Sequence, residues 1–175
     1  MTADPHLHRY NTLAEVYTIP AKAIHAAQLI SAWIRSHVNN AMVIGPDSES
    51  EQWVAAVAKE ADVPFTVLEK VRHGDRAVEI SIKSPERLKK RTPVLIDDII
   101  SSGQTMLQAI KQIRLLATTN PVCIGVHGIF ADSVDLRVAS EGARVVTTNS
   151  IAHPTNAIDI GPLLAAAILE LTIRL

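Results

Sequence analysis

Short runs of uninterrupted apolar residues alternate with segments of helical periodicity along the whole chain. The stretches "AMVIG" (41–45), "PFTVLEK" (64–70), "AVEISI" (77–82), "TPVLIDD" (92–98), "PVCIGVHGIF" (121–130) and "ARVVTTN" (143–149) read as strands. Residues 21–37 predict a helix, with Ile24, Leu29, Ile30 and Ile34 near one face. "EQWVAAVAKEA" (51–61) and "QTMLQAIKQIRLLA" (104–117) predict two more, the second with Met106, Ile110 and Ile113 on its apolar side. "DSVDLRVAS" (132–140) is weakly helical, and "GPLLAAAILELTI" (161–173) closes the chain as a helix. Strands that are apolar throughout and alternate with helices predict one α/β domain over residues 1–175, its central sheet mostly parallel and covered by helices on both faces.

In such sheets ligands bind beyond the carboxyl ends of the strands. Three loops qualify: "GPDSES" (45–50), "DDIISSGQT" (97–105) and "HGIFADS" (127–133). The second carries the most informative chemistry. A helix starting near Thr105 turns its unpaired N–H groups and the positive end of its dipole toward Ser101, Ser102, Gly103 and Gln104. Three hydroxyls (Ser101, Ser102 and Thr105) add donors, and Gly103 permits close backbone approach, which together make a phosphate cradle. Asp97 and Asp98, just upstream, repel phosphate but accept hydrogen bonds from vicinal hydroxyls or contact a hydrated magnesium ion. A ribose phosphate satisfies both halves of the loop. A lone Ser-Ser-Gly would be no more than a helix cap; the complete string at the end of an apolar strand is what points to a site.

Composition narrows the partners. The net charge of −1 gives no reason to expect nucleic acid as a ligand. The single Cys123 cannot form an internal disulfide or a structural zinc site, so a reducing cytoplasm suits the chain. The first residues are polar and lack a secretory signal, and the longest apolar stretch is short and interrupted by Glu170, so a soluble, membrane-free protein is expected. No "GxxxxGK[ST]" occurs, which excludes a P-loop nucleotidase.

"VLIDDIISSGQT" resembles the ribose-phosphate-binding signature of type I phosphoribosyltransferases and of the ribose-phosphate pyrophosphokinases. "DPHLHR", "GPDSES", "LEKVRHGDRAVEIS", "GVHGIF", "VVTTNSI" and "IDIGPLLAAAI" are similar to landmarks of the pyrophosphokinase family, in the same order. The resemblance implies a type I phosphoribosyltransferase-like fold and matches the carboxy-terminal catalytic half of that family. It further implies transfer of pyrophosphate from ATP to ribose 5-phosphate with Mg²⁺, giving phosphoribosyl pyrophosphate and AMP. Asp97 and Asp98 would hold the ribose hydroxyls and Ser101, Ser102, Gly103, Gln104 and Thr105 the phosphate. Lys70 and Arg72 would close over the transferring group, and His6 and Asp47 would stand near the metal.

Departures from the family pattern matter. Gln104 stands where glycine is common, and Ser48–Glu49 where two glycines commonly follow the aspartate. The resemblance begins at residue 4 here but well into a full-length family member, whose other half supplies adenine-binding residues. The chain alone is therefore expected to bind ribose 5-phosphate with little or no turnover, and to self-associate through exposed apolar residues such as Trp33 or Trp53. Two rivals stand beside this reading: a phosphoribosyltransferase consuming phosphoribosyl pyrophosphate, and a non-catalytic module associated with the pyrophosphokinase. The former needs an aromatic hood over a base, for which a chain with 3% aromatic residues offers no segment.

Overall fold

The computed structural model describes residues 1–7, 10, 12–73, 77–82 and 85–173; for 70–73, 77–80 and 173 the description is of the backbone alone. Two short strands at the amino-terminal end, β1 (Thr2–Ala3) and β2 (Ala23–Ile24), pair in parallel. Then follow α1 (Ala27–His37), β3 (Ala41–Gly45), α2 (Glu51–Ala61), β4 (Phe65–His73), β5 (Ala77–Ile82), β6 (Thr92–Ile100) and α3 (Gln104–Arg114). The chain continues through β7 (Val122–Gly128), α4 (Val134–Ser140), β8 (Arg144–Thr148), β9 (Asn156–Ile158) and α5 (Gly161–Ile173).

The main sheet has the order β5-β4-β3-β6-β7-β8-β9, and only the β4–β5 pair is antiparallel. Its interior strands feed two cores. In β3, Ala41 and Val43 face one core while Met42 and Ile44 face the other. Val94 and Ile96 of β6 join the first core and Leu95 the second; Val122, Ile124 and Val126 of β7 join the first and Cys123 the second. Helices α1, α2 and α5 close the first core, and α3 with α4 closes the second. Burial on both faces is why these strands read as continuous apolar runs rather than alternating ones.

The strand order defines where a site can form. From β3 the chain proceeds outward through β4 and β5, and from β6 it proceeds the opposite way through β7, β8 and β9. The reversal lies between β3 and β6, so the crevice of this doubly wound sheet opens at the carboxyl ends of those two strands. The loops there are 46–50 and 101–103.

Two expectations are corrected. The predicted helix over 21–37 begins only at Ala27, because Ala23–Ile24 is drawn into β2: Thr2 and Asp4 donate their N–H groups to the carbonyls of Lys22 and Ile24. The Asp4 carboxylate then accepts the Ala26 N–H at 2.7 Å and fixes the start of α1. Nor is Trp33 exposed. It is 6% accessible in the first core, stacked on His37 at 4.7 Å with the Arg144 guanidinium 5.0 Å over its ring. Trp53 is half-buried against the same core, and its indole Nε1 is buried without a partner. The exposed large apolar side chains lie elsewhere, including Ile168 and Leu169 on α5, a helix apolar on all sides. Among the described residues, no helix is long and apolar enough to cross a membrane.

Candidate functional site

β6 outruns its neighbour. Its pairing with β3 ends at Ile44↔Leu95, whereas its pairing with β7 continues to Ile100↔Gly128. Asp97 and Asp98 therefore leave the sheet with one edge open to the crevice. Each carboxylate commits one oxygen to backbone: Asp97 Oδ1 accepts the Asp98 N–H at 3.0 Å, and Asp98 Oδ1 accepts the Ile99 N–H at 2.7 Å. Asp98 Oδ2 is met by Nδ1 of His6, a residue 92 positions away. Asp97 is pushed up from 3.8 to about 7, first by burial and then by the charge of Asp98, with Asp47 adding to the repulsion.

Beyond this pair, Gly103 sits in the left-handed region at φ 64°, and a Cβ there would lie 2.4 Å from Val134 Cγ1. Glycine is thus required by both conformation and packing. Gln104 is the first residue of α3, so the left-handed turn falls one residue before it and places no special demand on its side chain. No side chain caps α3. Its amino-terminal N–H groups accordingly face the small cavity of about 120 Å³ lined by Asp97 and residues 99–106. Ser101 and Ser102 are exposed, and Thr105 is half-buried.

That cavity adjoins a cleft of about 1320 Å³, with Asp97, Ile99 and Thr105 lining both. The cleft is walled by the amino-terminal segment (Asp4 to Leu7), by residues 21–23 and His25, by residues of the 46–53 stretch, and by Asp97 and Asp98. Asp47 stands in this wall, but its Oδ1 accepts the N–H groups of Glu49 and Ser50, both at 3.1 Å, in the turn leading to α2. The structure thus brings together Asp97, Asp98, Asp47, His6 and the 101–105 loop. Lys70 and Arg72 belong to β4, opposite Ile80 and Val78 of β5, and their side chains lie outside the described residues. Residues 74–76 also lie outside the described residues.

Sequence reasoning gave no role to two cleft residues, Asp4 and His25, whereas Glu49 was already singled out in the 45–50 loop. Asp4 is 7% accessible, carries φ 33°, and pairs with His25 Nδ1 at 2.9 Å. Nothing local marks it, since its partners are over twenty residues away. Among the described residues, no group of three or more His, Cys, Asp or Glu is placed to hold a metal ion. Magnesium requires no such cage: it keeps several waters and binds through one or two carboxylates plus ligand phosphates, a donor set that Asp97 and Asp98 fit.

The doubly wound sheet thus carries an uncapped helix amino terminus and two carboxylates at its switch point. The chain belongs to the phosphoribosyl transferase domain family, whose model matches residues 12–163. Its relatives narrow the class. It is 29% identical over 145 residues to the ribose-phosphate pyrophosphokinase of Thermococcus kodakarensis, covering 82% of this chain and 51% of the relative. With that of Methanopyrus kandleri it shares 27% identity over 169 residues, covering 95% and 57%. The chain spans about half the length of the curated relatives it matches. The crystal structure of phosphoribosylpyrophosphate synthetase from Mycobacterium smegmatis superposes with a TM-score of 0.74 at 25% identity, covering 94% of this chain and 56% of that one.

Proposed function

We propose that the chain is the ribose-5-phosphate-binding, carboxy-terminal half of a ribose-phosphate diphosphokinase. One observation carries the reading. An open helix amino terminus and two hydroxyl acceptors stand on a single strand-to-helix junction, in two adjoining cavities that share Asp97 and Thr105. The phosphate of ribose 5-phosphate would take the N–H groups and hydroxyls of residues 101–105, and its vicinal hydroxyls would donate to Asp97 and Asp98. Asp98, with one oxygen held by backbone and the other by His6, is the more firmly oriented acceptor.

In the reaction so proposed, the anomeric hydroxyl oxygen bonds to the β-phosphorus of ATP. The bond from that phosphorus to the bridging oxygen breaks, AMP leaves with the electron pair, and the hydroxyl proton is released. No protein nucleophile takes part. The chain's share of the work is to hold the sugar in line and exclude water; Lys70 and Arg72 are proposed to stabilise charge on the transferring group. Bound Mg²⁺ would neutralise phosphoryl charge, held by the ligand and by Asp97 or Asp98. The expected partners are ribose 5-phosphate, ATP and further copies of the chain.

Calorimetric titration with ribose 5-phosphate, for wild type and Asp98→Asn, tests the site. Losing one charge-assisted hydrogen bond costs roughly 1.5–3 kcal/mol, so Asp98→Asn weakens binding by about one to two orders of magnitude. No binding of ribose 5-phosphate at millimolar concentration would refute the assignment. An AMP-release assay on the same 175-residue chain is expected to show little turnover.

A further inference from the structure

Near the end of β7 stands His127, a half-buried residue paired with Ile99 of β6 and lining neither cavity of the site. Both of its ring nitrogens are engaged. Nε2 lies 2.9 Å from the Ala3 carbonyl, 124 positions away in sequence, and Nδ1 lies 2.9 Å from Ser150 Oγ. A carbonyl only accepts, so Nε2 carries a hydrogen and donates it. In the neutral ring Nδ1 then accepts the Ser150 hydroxyl hydrogen, which fixes the tautomer. The Val126 carbonyl, 3.0 Å from the same hydroxyl, keeps its bond from Thr148 Oγ1 at 2.7 Å and needs no other.

Ala3 is placed to pass this hold on. Thr2 and Asp4 donate their N–H groups to β2, so the carbonyl between them faces away from β2 and toward His127. The path from Ala3 to His6 leaves little slack. Asp4 is held at φ 33° by its bonds to the Ala26 N–H and His25, and Pro5 has a ring-locked φ. A shift of Ala3 is therefore carried to His6, whose Nδ1 meets Asp98 Oδ2 in the cleft. We infer that His127 is a positioning residue of this site. Through Ala3 it sets where His6 stands, and through His6 it orients the Asp98 carboxylate toward the hydroxyls of the ligand. Ser150 takes part by holding the tautomer that points Nε2–H at Ala3. For its ligand the inference rests on the ribose-phosphate reading; the link from His127 to His6 is a property of the chain alone.

The test uses the full 175-residue chain as wild type, His127→Phe, His127→Gln and Asp98→Asn. Nitrogen–proton correlation spectra of the labelled histidine rings report on His6 without ligand, its signals being recognised by their loss in His6→Gln. Phenylalanine fills the space of the ring without a donor, whereas the glutamine amide reaches the place of Nε2 and restores the bond to Ala3. His127→Phe is expected to move the His6 signals in the direction that Asp98→Asn moves them, and His127→Gln to leave them nearer wild type. Ribose 5-phosphate affinity, by calorimetric titration, is expected to fall about three- to tenfold in His127→Phe, less than in Asp98→Asn because the acceptor itself remains. In a His6→Gln background the same substitution is expected to change affinity by less than about twofold, since both residues act along one path. Should His127→Phe not fold, Ser150→Ala, which frees the tautomer, is expected to move the His6 signals the same way. His6 signals that neither variant moves overturn the inference, as does an equal loss of affinity with and without His6. Absence of ribose 5-phosphate binding in wild type refutes the ribose-phosphate reading instead, and the ring signals still decide whether His127 positions His6.

Discussion

The fold opposes charge at Asp97. Its carboxyl is raised from 3.8 to about 7, by burial first and by the neighbouring Asp98 charge second, so the folded state resists its ionisation. The sign follows from proton linkage. Between about pH 4 and pH 7 the unfolded chain has released this proton while the native state retains it, so stability falls as pH rises through that window. Above pH 7 both states are ionised and the full penalty is present. A rise of that size corresponds to about 4 kcal/mol if none of it is screened; cleft water reaches the half-buried side chain and leaves about 2 kcal/mol. Asp97→Asn removes the charge and keeps the oxygen that accepts the Asp98 N–H. The variant is therefore expected to match wild type near pH 4 and to exceed it by about 2 kcal/mol at pH 8, a gain of about 4–8 °C in Tm. Urea and thermal denaturation across pH 4–8 measure the difference. An equal gain at both ends of the range, or a loss at pH 8, would refute the reasoning.

Further outcomes follow from the same geometry. Gly103→Ala forces a Cβ into the left-handed region and against Val134, and is expected to cost about 2–4 kcal/mol in chemical denaturation; combining it with Val134→Ala recovers part of that loss. Cys123, fully buried and pushed up to about 12, is expected to resist thiol reagents at pH 8 in the native protein and to react on unfolding.

The parts of the structure legible from sequence are those that local chemistry determines. "AMVIG" coincides with β3 and "EQWVAAVAKEA" with α2, because a fully buried strand and an amphipathic helix each carry their pattern within a dozen residues. The 97–105 junction was legible for the same reason, since acceptors, hydroxyls and glycine are contiguous. What escaped was determined at long range. β2 is strand rather than helix because the amino-terminal residues pair with it, and the three-residue β9 carries too little pattern to be seen. His6 on Asp98 and Asp4 on Ala26 join positions 92 and 22 residues apart. Trp33 illustrates the converse error. An aromatic side chain in a helix of mixed character reads as surface until β8 places Arg144 over its outer face.

Several unfavourable features of the fold gather at one place, although left-handed backbone also occurs away from it, as at Asn40 and Asp62. Apolar residues at the end of β6 would be cheaper than Asp97 and Asp98, which repel each other where burial already opposes charge. The left-handed turn at Gly103 lies six residues beyond Asp97, and Asp4, at φ 33°, lines the same cleft beside His6. Elsewhere the sheet is conventional, with apolar strands covered on both faces and buried hydroxyls satisfied, as where Thr148 Oγ1 donates to the Val126 carbonyl at 2.7 Å. Costly residues gathered at the switch point are expected to be retained for what they bind. Asp97→Asn tests that directly: the substitution that makes the protein more stable at pH 8 is the one expected to make it bind ribose 5-phosphate less well. A variant improved in both respects would mean that Asp97 serves neither ligand nor fold.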